Sequence, residues 1–229
     1  FGLVYAFSES YILPLSHDEV VHGKKSLIGK LPGSYEEKFA GLRALFAYMM
    51  CYPGKKLLFM GQEFGQFIEW DEDKEIDWLL LQYEKHEKLQ GFVRALNKLY
   101  LTRKELWNEP EGWNNFAWAS CDEAGRNAVA FRRTDKAGEL LCFFSFCPNP
   151  NPGFFAELPE GSRWQLLLSS EELRFGGSGA ELPALLTAEE LGEEKDGEEK
   201  EDLTKAASGF GAKIDLPPYC AAIYKRVRK

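Results

Sequence analysis

The apolar pattern of this chain changes period once, near residue 107, and that change limits the fold more than any other feature. Before it, short apolar runs alternate with stretches on helical spacing; after it, only short runs separated by turn residues remain. Residues 11–15 read as a short strand, and residues 24–34 as a loop containing Pro32-Gly33. Ser34 is placed to cap a helix whose first turn carries Glu36 and Glu37. Its core stripe is Phe39, Leu42, Leu45, Phe46, Met49 and Met50, and Pro53-Gly54 should end it near Tyr52. Residues 56–60 (KLLFM) read as a fully buried strand, followed by Gly61-Gln62-Glu63-Phe64-Gly65-Gln66 and a long acidic, aromatic loop over 67–81. A second helix covers about 83–102, with Leu89, Phe92, Val93, Leu96, Leu99 and Tyr100 as its stripe.

Strand, loop, helix, twice over, is the pattern of an α/β fold with a parallel sheet. Two parallel strands leave open edges, so further strands are expected from elsewhere. The first residue is Phe1, which is read as the start of a piece of a longer domain. From 116 onward six strands are expected, at 116–120, 128–134, 140–146, 164–169, 212–216 and 220–227. Turn signals at 122–125, 135–138, 148–153 and 176–179 divide them, and a helix is conceivable only around 182–191. The expected architecture is α/β plus all-β, with an antiparallel sandwich in the second part. The boundary is set between 1–107 and 108–229.

Of 229 residues, 45% are apolar and 17 are Phe, enough for a substantial core. Residues 189–202 (EELGEEKDGEEKED) hold nine acids against two lysines, and so carry −7 of the net −8. This acidic insert is expected to be a solvated excursion between two strands. The remainder is near neutral, with no basic patch for nucleic acid. No apolar run reaches the roughly 20 residues of a membrane span, and no secretory signal is visible. Five widely spaced cysteines, most within apolar segments, read as free thiols of a reducing compartment, without zinc spacing.

The chemistry concentrates where the first strand ends, in Ser16-His17-Asp18-Glu19-Val20-Val21-His22-Gly23-Lys24. Asp18 and Glu19 are neighbours; on an extended strand end they would point apart, one into a site and one into its wall. His17 and His22 lie five apart, whereas the zinc-protease pattern needs histidines at i and i+4 around a glutamate, so no metal is expected. A neutral histidine can instead donate to a hydroxyl or a carboxylate. Glu63 follows the other strand of the parallel pair and is the nearest second carboxylate. Trp70, Trp78, Tyr83, Trp107 and Trp113 could face a sugar or fill an interface between the two parts.

These residues resemble the C-terminal part of the glycogen (1,4-alpha-glucan) branching enzymes of the alpha-amylase superfamily. The resemblance rests on LPLSHDEVVHGK (13–24), KFAGLRALFAYMMCYPGKKLLFMGQEFGQ (38–66), EW (69–70), IDW (76–78) and LNKLY (96–100). FGGSG (175–179) and LPP (216–218) add weaker support. The resemblance implies that 1–107 is the last two strands and helices of a (β/α)8 barrel, whose sites lie at the C-terminal ends of strands. It implies that Asp18 is the carboxylate that stabilises the transition state. His17 would bind the same glucosyl unit. Glu19, Glu63 and Trp70, by residue type and placement, are further candidate substrate-binding residues. Residues 108–229 would be the family's all-β C-terminal domain. The implied reaction cleaves an α-1,4 link and transfers the chain to a C6 hydroxyl. It involves an α-glucan partner, no cofactor, and a cytoplasmic setting.

The family's nucleophilic Asp and acid/base Glu sit in motifs that do not occur in this sequence. The chain by itself is therefore expected to be inactive, to require the earlier part of the barrel, and to be able to self-associate through the open barrel edge. A related α-glucan hydrolase or debranching enzyme, or a noncatalytic carbohydrate-binding fragment, are the competing readings.

Overall fold

The computed structural model describes residues 11–108, 113–190 and 209–227. Strand β1 (Ile12–Leu15) and strand β2 (Lys55–Leu58) pair in parallel, with Leu13 opposite Lys56 and Leu15 opposite Leu58. Between them lie the single turn α1 (Leu27–Lys30) and the long helix α2 (Tyr35–Cys51). Ser34 closes a capping box: its hydroxyl accepts from Glu37 N and the Glu37 carboxylate accepts from Ser34 N. The helix ends at Cys51, with extended Tyr52 as its C-cap directly before Pro53, as the sequence requires. Helix α3 (Glu84–Thr102) buries Leu89, Phe92, Val93 and Leu96 as expected, and the short α4 (Lys104–Trp107) follows it.

The strand at 56–60 is not fully buried. Leu57 is 41% exposed and Met60 51%, and Ile12 on β1 is 59% exposed. Each strand has one face toward the helices and one face over which no described residue packs. Apolar composition promised a covered strand; a two-stranded sheet has no second layer to cover it.

Among the described residues nine strands follow, not six. A six-stranded antiparallel sheet has the order β3 (Phe116–Ser120), β4 (Ala128–Asp135), β5 (Gly138–Ser145), β11 (Ala221–Val227), β7 (Arg163–Ser169), β8 (Leu185–Thr187). A three-stranded sheet has the order β6 (Asn151–Glu157), β10 (Phe210–Leu216), β9 (Glu189–Glu190). Strand β6 begins inside the stretch 148–153 that Pro and Gly mark as a turn. Its Phe154 and Ala156 face inward and pair with Ile214 and Ala212. The conceivable helix at 182–191 is instead β8 and β9 over its described part; three- and two-residue strands are too short to show alternation. Of the acidic insert, only Glu189 and Glu190 are described, and both are exposed on β9; residues 191–202 lie outside the described residues.

The six-stranded sheet is covered on both faces. On one side Ala130, Leu141, Phe143, Trp164, Ala222 and Tyr224 meet Phe154, Ala156, Ile214 and Leu216 of the smaller sheet. On the other, Phe116, Phe131, Leu140, Cys142, Phe144 and Ile223 join Phe39, Leu42, Phe46, Met49, Phe92 and Leu96 from α2 and α3 in one core. Two buried arginines fasten this second junction. Arg133 donates to the carbonyls of Asn115 (3.2 Å), Cys51 (2.8 Å) and Leu106 (3.4 Å). Arg43 of α2 donates its Nε to Ser170 O at 3.1 Å. Burial pulls the Arg43 guanidinium below its usual pKa, and the carboxylate of Glu171 opposes that shift. Glu171 is itself buried and accepts from Ser170 Oγ, Ser178 Oγ and Ser178 N, so it ties down the FGGSG segment.

The described cysteines are all free, with Cys51, Cys142 and Cys220 buried. Among the described residues no helix is long and apolar enough to cross a membrane.

Candidate functional site

Two turns stand at the C-terminal ends of the parallel strands. After β1, His17–Glu19 forms one 3-10 turn with Ser16 in the N-cap position. After β2, Gln62–Phe64 forms another, between Gly61 (φ 82) and Gly65 (φ 73). Both glycines need the left-handed region, which other residues reach at a cost. The parallel pairing therefore brings together the two motifs that the sequence separates by more than forty residues.

The premise of an extended strand end at Asp18-Glu19 fails. In a 3-10 turn successive side chains diverge by roughly a third of a circle, not a half. His17 Nε2 lies 3.3 Å from Asp18 Oδ1, and the two side chains are 53% and 70% exposed. Glu19 is exposed, and among the described residues neither Glu19 nor Glu63 has a side-chain hydrogen bond or ion pair. Nothing described brings Glu63 into contact with the His17 turn.

Trp70 is brought to the turn. Its ring lies edge-on to His17 (centroids 6.0 Å apart, 69°) and to Phe59 (5.2 Å, 82°). His17 also meets Phe59 at 6.0 Å. These three rings make a wall beside an open carboxylate. Trp78 and Tyr83 are exposed farther along the loop, with Trp78 against Phe64 at 5.5 Å.

Residue-by-residue reading missed Phe59, Lys24 and Glu69. Lys24 Nζ donates to the Asp18 carbonyl at 2.8 Å. Glu69 accepts from Gly23 N at 2.9 Å and Lys25 N at 2.6 Å, and these two bonds hold its carboxyl below the usual range. The signal for Glu69 was present, since Glu69-Trp70 is one of the matching motifs, but only the tryptophan has an evident use on a sugar. Beneath the second turn, His86 is buried, its Nδ1 2.7 Å from Phe64 O. A carbonyl only accepts, so Nδ1 carries the hydrogen. Desolvation lowers the His86 pKa, partly opposed by that bond. Among the described residues no group of three or more His, Cys, Asp or Glu is gathered in a way that could hold a metal ion.

The exposed Asp-His pair thus stands beside an aromatic wall, at the end of parallel strands and in the same chain as an antiparallel sandwich. Residues 118–227 match the family described as alpha amylase, C-terminal all-beta domain. The chain is also similar to 1,4-alpha-glucan branching enzymes. It is 47% identical over 191 residues to that of Desulfitobacterium hafniense, covering 82% of this chain and 30% of that protein. It is 46% identical over 181 residues to that of Aquifex aeolicus, covering 78% and 29%. The chain thus spans about three-tenths of the length of these relatives. Among solved structures, the alpha-amylase of Geobacillus thermoleovorans in complex with acarbose superposes with a TM-score of 0.60 at 13% identity, over 95% of this chain and 38% of that one. At that identity the likeness is one of fold.

Proposed function

We propose that this chain is the C-terminal part of a 1,4-alpha-glucan branching enzyme. The parent protein would cleave an α-1,4 link and pass the severed chain to a C6 hydroxyl, in the cytoplasm, on an α-glucan such as glycogen or amylose. In this reading 1–107 supplies the seventh and eighth strands of a (β/α)8 barrel, as β1 and β2, and 108–229 is the C-terminal domain. The observation that carries the reading is the His17–Asp18 turn, at the C-terminal end of a strand paired in parallel with β2 and walled by Phe59 and Trp70.

Asp18 would accept hydrogen bonds from the hydroxyls of the reacting glucosyl unit. Those bonds strengthen as the ring approaches the oxocarbenium-like state, so the effect falls on kcat. His17 would donate to the same unit, and Trp70 and Phe59 would take an apolar sugar face. Glu19 and Glu63 remain candidate hydroxyl-binding residues. The nucleophile and the acid/base belong to motifs on other strands. This chain alone is expected neither to branch nor to hydrolyse amylose.

The test is a chimaera in which this chain replaces the matching segment of the D. hafniense branching enzyme. The chimaera should branch amylose, read by the iodine spectrum. Asp18→Asn within it should lower kcat by roughly a hundred-fold or more without changing its melting curve. A folded chimaera with no activity, or a near-normal kcat in the Asn variant, would overturn the assignment.

A further inference from the structure

We propose that Glu69 is the positioning residue of the His17–Asp18 turn, clamping the loop after it so that Lys24 holds the Asp18 backbone and Trp70 the His17 ring in place. The inference rests on the sugar-site reading of His17 and Asp18 for its functional meaning, but not for its geometry. The loop from Val21 to Lys25 has two residues in the left-handed region, Gly23 at φ 80 and Lys25 at φ 65. For Lys25 that conformation is disfavoured by its Cβ, so it persists only where surrounding bonds fix it. The bonds come from one carboxylate: Glu69 Oε2 accepts from Gly23 N at 2.9 Å and Oε1 accepts from Lys25 N at 2.6 Å.

The residue between the two donors is Lys24, and its Nζ turns back to the carbonyl of Asp18 at 2.8 Å. Beside Glu69, Trp70 N donates to Val20 O at 2.9 Å, and Val21 and Trp70 form a parallel bridge. Val20 N in turn donates to His17 O at 2.9 Å, which closes the turn. The connections form a ring: turn, loop, carboxylate, tryptophan, and back to the turn through the Trp70–His17 ring contact. Glu69 is the only side chain in that ring that bonds two backbone donors at once. His22, Nδ1 3.6 Å from Glu69 Oε2, faces the clamp from the loop side.

Glutamine at this position keeps the shape but turns one acceptor into an NH2 group that faces a backbone N–H. Glu69→Gln should therefore release one arm of the clamp and Glu69→Ala both, whereas Glu69→Asp retains two acceptors on a shorter stem. The chain has three histidines, so its imidazole signals are few enough to assign. In Glu69→Gln and Glu69→Ala the His17 ring signals should move toward solvent-exposed values as the Trp70 and Phe59 rings withdraw. The buried His86 signals should stay fixed and report that the fold is intact. Trypsin should cut after Lys24 or Lys25 roughly ten-fold faster in both variants, and Glu69→Asp should recover part of the protection.

Titration with maltoheptaose separates the clamp from the sugar reading. If the His17 signals of the chimaera with the D. hafniense enzyme ignore the sugar while the variants loosen, the sugar reading fails and the clamp stands. If the sugar shifts them, the Gln variant of the chimaera should bind it several-fold more weakly. Unchanged His17 signals and unchanged trypsin rates in both variants would overturn the clamp, whatever the sugar does.

Discussion

Arg133, fully buried on β4, donates Nη1 to the carbonyl of Cys51, the last residue of α2, at 2.8 Å. The same guanidinium bonds the carbonyls of Asn115 and Leu106. One side chain thus holds the C-terminus of α2, the end of α4 and the entry to β3. Replacing it by leucine leaves buried carbonyls without their donor, at about 1–3 kcal/mol each when unmade. We expect Arg133→Leu to lower the unfolding free energy by roughly 3 kcal/mol or more in urea titration. A loss under about 1 kcal/mol would mean that water reaches those carbonyls.

His86 makes stability depend on pH. Its folded pKa lies below the ordinary value of 6.5 because burial disfavours the charged ring. Below pH 6.5 the unfolded chain therefore binds a proton that the folded chain resists, and stability falls as pH falls. Thermal melts from pH 7.5 to 5 should show this slope, and His86→Phe, among Phe39, Phe67 and Tyr35, should flatten it. An unchanged slope in the variant would assign the effect to carboxylates.

Two glycines should respond to alanine with opposite signs. A Cβ on Gly91, in the middle of α3, meets nothing within 4 Å, so Gly91→Ala should stabilise by about 0.5–1 kcal/mol through helix propensity. A Cβ on Gly177 would lie 2.3 Å from the Glu171 carbonyl carbon and 2.4 Å from its Cα. Backbone has to move there, in the segment that Glu171 holds, so Gly177→Ala should cost on the order of 2 kcal/mol. Differential scanning calorimetry of the pair decides it.

Residues 108–229 expressed alone should not behave as a clean monomer. Their six-stranded sheet would lose the cover of α2 and α3 and present Phe116, Phe131, Phe144 and Ile223 to water. Dye binding and light scattering should both rise well above those of the whole chain. A monomeric, cooperatively melting β part would show that this face tolerates exposure.

Long periodic segments were legible from sequence because their own residues decide them: Ser34, the stripe of α2 and the stripe of α3 all sit where helical spacing places them. Strands of the β part were legible where an apolar run stood between clear turn residues, as in β4 and β5. Short strands were not: β8 and β9 take their conformation from partners in β7 and β10, a contact that no local pattern encodes. The exposure of Leu57 and Met60 was also hidden, because composition shows what a residue would bury, not whether a layer is there to bury it. At the site, chemical type pointed to His17 and Asp18. Glu69 and Phe59 act through backbone and ring contacts made across the fold, which become visible only when the parallel pair brings 17–25 beside 59–70.

The core shared by α2 and the six-stranded sheet also constrains how such chains recombine. Tyr48 of α2 meets Phe131, Phe144 and Phe146 at 6.0, 5.3 and 5.6 Å, and Tyr52 meets Phe116 at 6.4 Å. A crossover between distant relatives in the stretch linking α4 to β3 would take each side of these aromatic contacts from a different parent. Volume mismatches in such a core cost roughly 1–3 kcal/mol apiece. Viable breakpoints therefore fall outside the pair, and the helices and the sandwich are inherited together.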